Sequence, residues 1–169
     1  MSSDLGTFEV GDWIVHNWYG VGEIRKVEER PIHGEELNCY RVETKDAIYW
    51  LPVENADNDR TRRVVNKSRF QKALRTLKAK PEKMAKNYRT RNAHIKEVVF
   101  ESGSLIKMAG LLRDLLALRK SKKLNNTEKG AVERIRERMV REWSACKDIP
   151  VEEARTKLQM IVVNNFDAS

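Results

Sequence analysis

Residues 47–53, Ala47-Ile48-Tyr49-Trp50-Leu51-Pro52-Val53, decide the fold of the N-terminal part of the chain. Their β-branched and aromatic side chains favour a strand. Similar short runs lie before them at residues 13–16, 23–28 and 39–43, and residues 30–34 between these runs are predicted to form a turn. Four or five strands within about 60 residues predict a small antiparallel β-barrel of the SH3 or Tudor kind.

After residue 63 the hydrophobic pattern changes to helical spacing. Phe70, Ala73, Leu74 and Leu77 follow the i, i+3, i+4, i+7 rule. The most apolar stripe of the chain consists of Leu105, Met108, Ala109, Leu112, Leu115 and Leu116. The predicted fold class is therefore α+β, with a barrel domain at residues 1–63 and a domain of about five helices at residues 64–169.

Three residues mark expected helix starts. Pro81 fits the first position of a helix, whose inner positions would be Met84, Tyr88, Ile95 and Val99. Thr127 is a candidate N-cap of a later helix. Pro150 opens the last predicted helix, with Glu152 and Glu153 in its first turn, where carboxylates favour the helix dipole.

Charge is distributed unevenly along the chain, whose net charge is +8. Residues 1–59 hold 5 basic and 13 acidic side chains, whereas residues 60–96 hold 14 basic side chains and one acid, Glu82. An acidic part joined to a strongly basic part indicates two different partners.

The basic segment, residues 60–96, favours contact with nucleic acid. Its cations would neutralise phosphates and release counter-ions, which makes binding sensitive to salt. Its only aromatic residues are Phe70 and Tyr88, and single-strand binders use several stacking rings, so duplex contact fits better. A merely solvated basic face, an anionic membrane and an acidic protein are the alternatives. Tyr88 is either a wedge at a base step or a core residue.

The N-terminal part carries six tryptophan and tyrosine residues: Trp13, Trp18, Tyr19, Tyr40, Tyr49 and Trp50. A domain of this size is too small to bury all of them. Tyr49 and Trp50 are neighbours on one strand and point to opposite faces, so at least one should approach solvent. Exposed aromatic residues favour a protein-binding surface. An aromatic cage for methylated lysine is an alternative.

Catalytic and metal-binding patterns are missing from the sequence. His16, His33 and His94 have no metal-ligand spacing, and Cys39 and Cys146 stand too far apart in sequence for a zinc motif. We therefore expect neither an enzyme nor a bound cofactor. The absence of a long apolar run, and of signal-peptide features in Met1–Thr7, predicts a cytoplasmic protein without a membrane partner.

The order of several motifs resembles the CarD/CdnL family and the polymerase-interaction module of transcription-repair coupling factor. The motifs lie at Phe8–Val15, Gly20-Val21-Gly22, Arg30–Glu35, Tyr40 and Leu51–Asn55. In the helical part, Asn87-Tyr88-Arg89-Thr90-Arg91 and Gly110-Leu111-Leu112-Arg113-Asp114-Leu115 are similar to the family's corresponding helices.

The resemblance implies a Tudor-like domain that binds the β subunit of RNA polymerase. It also implies a helical domain that touches promoter DNA at the upstream edge of the transcription bubble and stabilises the open complex. By resemblance, the polymerase contacts are Arg30 and Trp50, and Ile32 and Tyr49 beside them complete the predicted set. The family's basic residue at the position of Trp50 and its tryptophan wedge near Tyr88 are replaced here.

The predicted DNA contacts are Tyr88, its neighbours Lys86, Arg89 and Arg91, and Lys83. Together these features predict a monomeric, nucleoid-associated transcription regulator. The alternative is a free-standing duplex DNA or RNA binder without a polymerase partner.

Overall fold

The computed structural model describes residues 8–167, which form two compact units that meet between Val64 and Val65. Met1–Thr7, where the sequence predicts no signal peptide, lie outside the described residues.

The N-terminal unit is a five-stranded antiparallel sheet with the strand order β4-β3-β2-β1-β5. The strands are β1 (Trp13–His16), β2 (Gly20–Ile32), β3 (Glu35–Thr44), β4 (Ile48–Pro52) and β5 (Thr61–Arg63). A short 3₁₀ turn, Val53–Asn55, follows β4. The predicted Tudor-like antiparallel domain is confirmed.

One face of this sheet forms the core of the unit. Tyr40 lies at its centre and donates a hydrogen bond from its hydroxyl to the carbonyl oxygen of Phe8 at 2.6 Å. The rest of the core is formed by Ile14, Ile24, Val42, Tyr49, Leu51, Val53 and Ala56. In β3 and β4 these residues alternate with more exposed ones, as a half-buried sheet requires.

The turn predicted at residues 30–34 is shorter than expected. Strand β2 continues through Arg30 to Ile32, and only His33 (φ 50°) and Gly34 (φ 84°) form the turn. Two successive residues with positive φ match the twist of a two-residue hairpin. Arg30 and Ile32 are therefore strand residues with a fixed side-chain direction.

The C-terminal unit contains five α-helices, as predicted. They are α1 (Lys67–Lys78), α2 (Tyr88–Lys96), α3 (Leu105–Ser121), α4 (Asn126–Lys147) and α5 (Val151–Val162). Helices α2 and α5 each continue into a π-helical turn, Glu97–Ser102 and Val163–Asp167 respectively.

Helix α3 lies in the middle of the helical core. Every residue of its predicted apolar stripe is buried. The predicted stripe of α1 is buried as well, and the ring of Phe70 packs against Trp143 of α4 at 5.1 Å between centroids. Helix α5 begins after Pro150, as predicted, and buries Ala154, Leu158 and Val162.

Two predicted helix starts are wrong. Pro81 does not open a helix, because residues 79–87 are non-helical and α2 begins at Tyr88 behind Asn87, whose side chain accepts a hydrogen bond from the Arg89 amide. The N-cap of α4 is Asn125 rather than Thr127. Asn125 is favoured because Glu128, three residues later, accepts a hydrogen bond from its amide and completes a capping box.

Candidate functional site

The N-terminal unit presents a charged outer face around Trp50. A β-bulge between Ile24 and Lys26 shifts the alternation of β2, so that Ile24 points into the core while Lys26 points away from it. In the strand register, Lys26 lies opposite Arg41 on β3, and Arg41 lies opposite Trp50 on β4. We call this surface the Trp50 face: Lys26, Glu28, Arg30, Arg41 and Trp50.

Arg30 and Trp50 are in direct contact on this face. The guanidinium carbon of Arg30 lies 4.1 Å from the centroid of the Trp50 ring, which is a cation–π geometry. The indole Nε1 of Trp50 donates to Glu28 Oε1 at 2.5 Å, and Lys26 Nζ lies 2.7 Å from Glu28 Oε2. These contacts hold the half-buried indole in one orientation.

Glu28 connects the cations of the face to the indole. Hydrogen bonds from Lys26 and then from Trp50 lower the pKa of its carboxyl group, although burial acts in the opposite direction. The carboxylate therefore stays ionised, and the Trp50 face presents positive, negative and aromatic groups side by side.

The Trp50 face reaches one edge of the sheet. Strand β4 is the terminal strand in the sheet of residues 8–64 and exposes Ile48, which is 47% accessible. An edge strand offers unpaired backbone groups to an incoming strand. Ile32 lies two residues beyond Arg30 on β2, on the same side of the pleat, and is half-buried.

Tyr49 does not belong to the Trp50 face, which corrects its predicted place among the contact residues. It points to the opposite side of β4, is 8% exposed, and stacks on Tyr19 at 4.4 Å between ring centroids. Burial, and then the neighbouring Tyr19, raise the pKa of its hydroxyl group. Tyr49 is a core residue that supports the strand from behind.

The rings around Tyr49 also bear on the predicted alternative of an aromatic cage. His16 lies 4.8 Å from Tyr19 and 5.4 Å from Tyr49 between ring centroids. Rings at these separations pack against one another, so no methylammonium group fits between them. The exposed aromatic residues in this region are Trp13, Trp18 and Tyr19.

In the helical unit, four of the five predicted DNA contacts lie between residue 83, after α1, and the first turn of α2. Lys83, Lys86, Tyr88 and Arg89 are all exposed, and the Tyr88 side chain is 54% accessible. The hydroxyl of Tyr88 accepts a hydrogen bond from Arg89 Nε at 3.3 Å. We call residues 83–89 the contact segment.

A groove of about 450 Å³ runs beside the contact segment. Lys83 and Lys86 line it on one side, and Lys122, from the end of α3, lines it on the other. Its acidic lining residues are Glu82 and Asp114, and Asp114 Oδ1 accepts a hydrogen bond from the Glu82 amide at 2.9 Å. Asp114 is also paired with Arg113 at 2.8 Å, so its charge is partly compensated.

Arg91 is the exception among the predicted DNA contacts. Its side chain is 3% exposed, and its Nε donates to Glu128 Oε1 at 2.5 Å within the helical core. A buried guanidinium bound in this way does not reach a DNA backbone, so the direct contact predicted for Arg91 is wrong.

Sequence reasoning missed Glu28, Lys122 and Glu128. Glu28 could have been found from the alternation Lys26, Glu28, Arg30, which places three charges on one face of a strand. Glu128 could have been found from its place three residues after Asn125, the spacing of a capping box. Lys122 lines the same groove as Lys83 only because of the tertiary fold, so no local pattern in the sequence indicates it.

Two further features of the described residues concern metal ions and membranes. Among residues 8–167, no group of three or more His, Cys, Asp or Glu side chains is arranged to hold a metal ion. In the same range, no helix is both long and apolar enough to cross a membrane.

Comparison with protein-family models identifies both units. Residues 8–65 match the CarD-like/TRCF RID domain, and residues 72–159 match the CarD C-terminal domain. These domains occur in non-enzymatic transcription factors that interact with RNA polymerase. The two matches cover the sheet with its Trp50 face and nearly the whole helical unit, and the chain therefore belongs to the CarD/CdnL family.

Proposed function

We propose that this protein binds the β subunit of RNA polymerase through the Trp50 face and promoter DNA through the contact segment. It thereby stabilises the open complex at the upstream edge of the bubble. In this proposal it acts as a monomer at the nucleoid. The observation that carries the proposal is the contact between Arg30 and Trp50, two residues from different strands that meet on one exposed face beside a free sheet edge.

The chemistry of the Trp50 face suits a protein partner. Tryptophan and arginine are the residue types most often responsible for binding energy at interfaces. Glu28 and Arg30 hold the indole in place before binding, so little side-chain freedom is lost when the partner arrives. A strand from the polymerase can pair with β4, while Trp50 and Ile32 provide apolar contact.

The contact segment suits the DNA backbone. Lys83, Lys86 and Arg89 are exposed cations, and phosphate contacts position a protein without reading sequence. The exposed ring of Tyr88 lies among them, where it meets an unstacked base step at the bubble edge. The polymerase contact raises the local concentration of the helical unit at the promoter, so weak DNA contacts suffice.

The proposal is tested by the lifetime of open promoter complexes under heparin challenge. We expect the wild-type protein to lengthen this lifetime, and both Trp50→Ala and the double variant Lys83→Ala/Lys86→Ala to lose most of the effect. Gly130→Ala serves as a control, since it adds only a methyl group where no atom lies within 4 Å. The proposal is rejected if Trp50→Ala acts like the wild type. A free-standing nucleic-acid binder would give that result together with normal binding to naked duplex.

A further inference from the structure

The buried ion pair between Arg91 and Glu128 lies directly behind the contact segment. Arg91 is on α2 and Glu128 is on the first turn of α4, and the Glu128 side chain is fully buried. Burial raises the pKa of Glu128, but hydrogen bonds from Arg91 and Asn125 and the Arg91 charge outweigh that effect and lower it. The pair is therefore ionised inside the helical core.

Arg91 also binds the backbone of the contact segment. Its Nη1 donates to the carbonyl oxygens of Lys86 at 2.7 Å and of Ala85 at 3.0 Å. Both carbonyls belong to residues outside any helix or strand, so no regular backbone hydrogen bonds hold them. One guanidinium thus connects α4, through Glu128, to the part of the chain that lies between Lys83 and Tyr88.

A second contact fixes the segment at its other end. The amide of Glu82 donates to Asp114 Oδ1 on α3 at 2.9 Å. Lys83 lies directly after this anchor, and Lys86, Tyr88 and Arg89 lie at or beyond the Arg91 anchor. Lys83 and Lys86 are therefore carried by backbone that is fixed at both ends, and Tyr88 and Arg89 follow it on the first turn of α2.

We propose that Arg91, held by Glu128, is a positioning residue for DNA binding: it fixes the backbone at Ala85 and Lys86 and so presents Lys83, Lys86 and Tyr88 to the DNA in one arrangement. This inference rests on the proposed DNA-binding function of the contact segment. Arg91 itself touches no DNA.

Arginine suits this task because its fork of donors serves a carboxylate and two carbonyls at once. A segment that is ordered before binding loses less conformational entropy when the DNA arrives. Without the Arg91 anchor, Lys83 and Lys86 would still be present, but their backbone would have to be ordered during binding. The conformational entropy lost in that step would lower the affinity for DNA.

The experiment compares stability and DNA affinity in Arg91→Met and in the double variant Arg91→Met/Glu128→Gln, using the full chain. Arg91→Met leaves a buried carboxylate without its partner and lowers stability. The double variant removes both charges, and the amide oxygen of Gln can still accept from the Asn125 amide, so most of the stability returns. DNA affinity should not return with it, since the backbone anchor is still missing.

Urea unfolding followed by circular dichroism gives the stability, and the fluorescence anisotropy of a short labelled forked duplex gives the affinity. We expect the double variant to bind about tenfold more weakly than the wild type, with an unchanged log–log salt slope, because the same cations still neutralise phosphates once they are ordered. Leu158→Ala, a core change in α5, is the control: it lowers stability and leaves the affinity of the folded protein unchanged.

The outcomes separate the two proposals. If the double variant regains wild-type affinity together with stability, Arg91 has only a structural role and the inference is overturned. If the wild-type protein shows no salt-dependent binding to the duplex, the proposed function fails, and this inference fails with it.

Discussion

Tyr88 is an exposed aromatic residue of the contact segment, and in the proposed function it is the side chain that meets the unstacked base step. It begins α2, its side chain is more than half exposed, and its hydroxyl is held by Arg89. In the proposed function, this ring at the start of a helix, flanked by exposed cations, stacks on a base that the bubble edge has unstacked. The relevant property is then the ring rather than the hydroxyl.

If the ring of Tyr88 stacks on a base, three substitutions of this residue should have different effects. Tyr88→Ala should lose about 1–3 kcal/mol of binding to forked DNA, whereas Tyr88→Phe should stay close to the wild type and Tyr88→Trp should bind at least as tightly. Anisotropy with forked and fully paired duplexes measures the difference. If Tyr88→Ala weakened binding to both duplexes equally, the ring would have no role in recognising the fork.

Arg89 and Arg91 illustrate what residue-level sequence reading can achieve. Both follow Tyr88 in a basic stretch and both were predicted to contact DNA. Two positions along a helix turn a side chain by about 200°, so one arginine faces solvent while the other enters the core. Arg89 stays a predicted DNA contact, whereas the sequence could not show that Arg91 is buried, because its partner Glu128 is 37 residues away.

At the level of elements, periodicity repeated over several turns was a reliable guide, whereas single residues that mark helix starts were right at Pro150 and wrong at Pro81 and Thr127. The stripe from Leu105 to Leu116 correctly predicted α3, because its spacing repeats over several turns. Pro81 offered a single signal for a helix start. It was overridden by tertiary contacts, since Asp114 binds the Glu82 amide and Arg91 binds the carbonyls that follow.

Substitution of two glycines by alanine should change the stability of the protein with opposite signs. A Cβ at Gly22 on β2 would lie 2.8 Å from Val42 Cγ1 and 3.0 Å from the Glu43 carbonyl oxygen. Gly22→Ala should therefore destabilise the sheet by about 1–3 kcal/mol. At Gly130 on α4 the same methyl group meets no atom within 4 Å, so Gly130→Ala should stabilise the helical unit by about 0.5–1 kcal/mol.

Urea denaturation of the full chain, followed by circular dichroism and by tryptophan fluorescence, measures both changes. Each variant is a control for the other, because both add the same methyl group to a glycine. A stable Gly22→Ala protein would contradict the close approach of β2 and β3.

The stability that the ion pair between α4 and α5 contributes should depend on pH. Hydrogen bonds from Arg155 on α5, and then from Arg141, lower the pKa of Glu137 to about 2 against the opposing effect of burial. Because the folded pKa is the lower one, the pair stabilises the protein above the unfolded value of 4.5, and this stability is lost as the pH falls towards about 2.

Glu137→Gln should remove that part of the acid sensitivity. Since Glu137 is partly exposed to solvent, solvent screening limits the effect to about 1 kcal/mol or less. Unfolding by urea at a series of pH values, for the wild type and Glu137→Gln, gives the difference. Parallel pH profiles for the two proteins would mean that the ion pair contributes nothing.

At the scale of the whole molecule, the unequal charge along the chain corresponds to two units with different surfaces. The acidic N-terminal sequence folds into the sheet that carries the Trp50 face, and exposed cations of the basic segment lie along α1 and the contact segment. Composition could predict that the two parts of the chain differ in charge. It could not predict which aromatic residue faces outward, because the bulge in β2 and the pleat of β4 decide that.

The central claim is that the two surfaces act separately. It is tested most directly by measuring, on the same preparations, capture by the isolated β-subunit lobe and anisotropy of labelled duplex from about 50 to 200 mM salt. For Trp50→Ala we predict at least about tenfold weaker capture and unchanged DNA binding. For Lys83→Ala/Lys86→Ala we predict unchanged capture and a salt slope reduced by about 2. Wild-type capture by Trp50→Ala, or equal loss of both activities in either protein, would contradict the account.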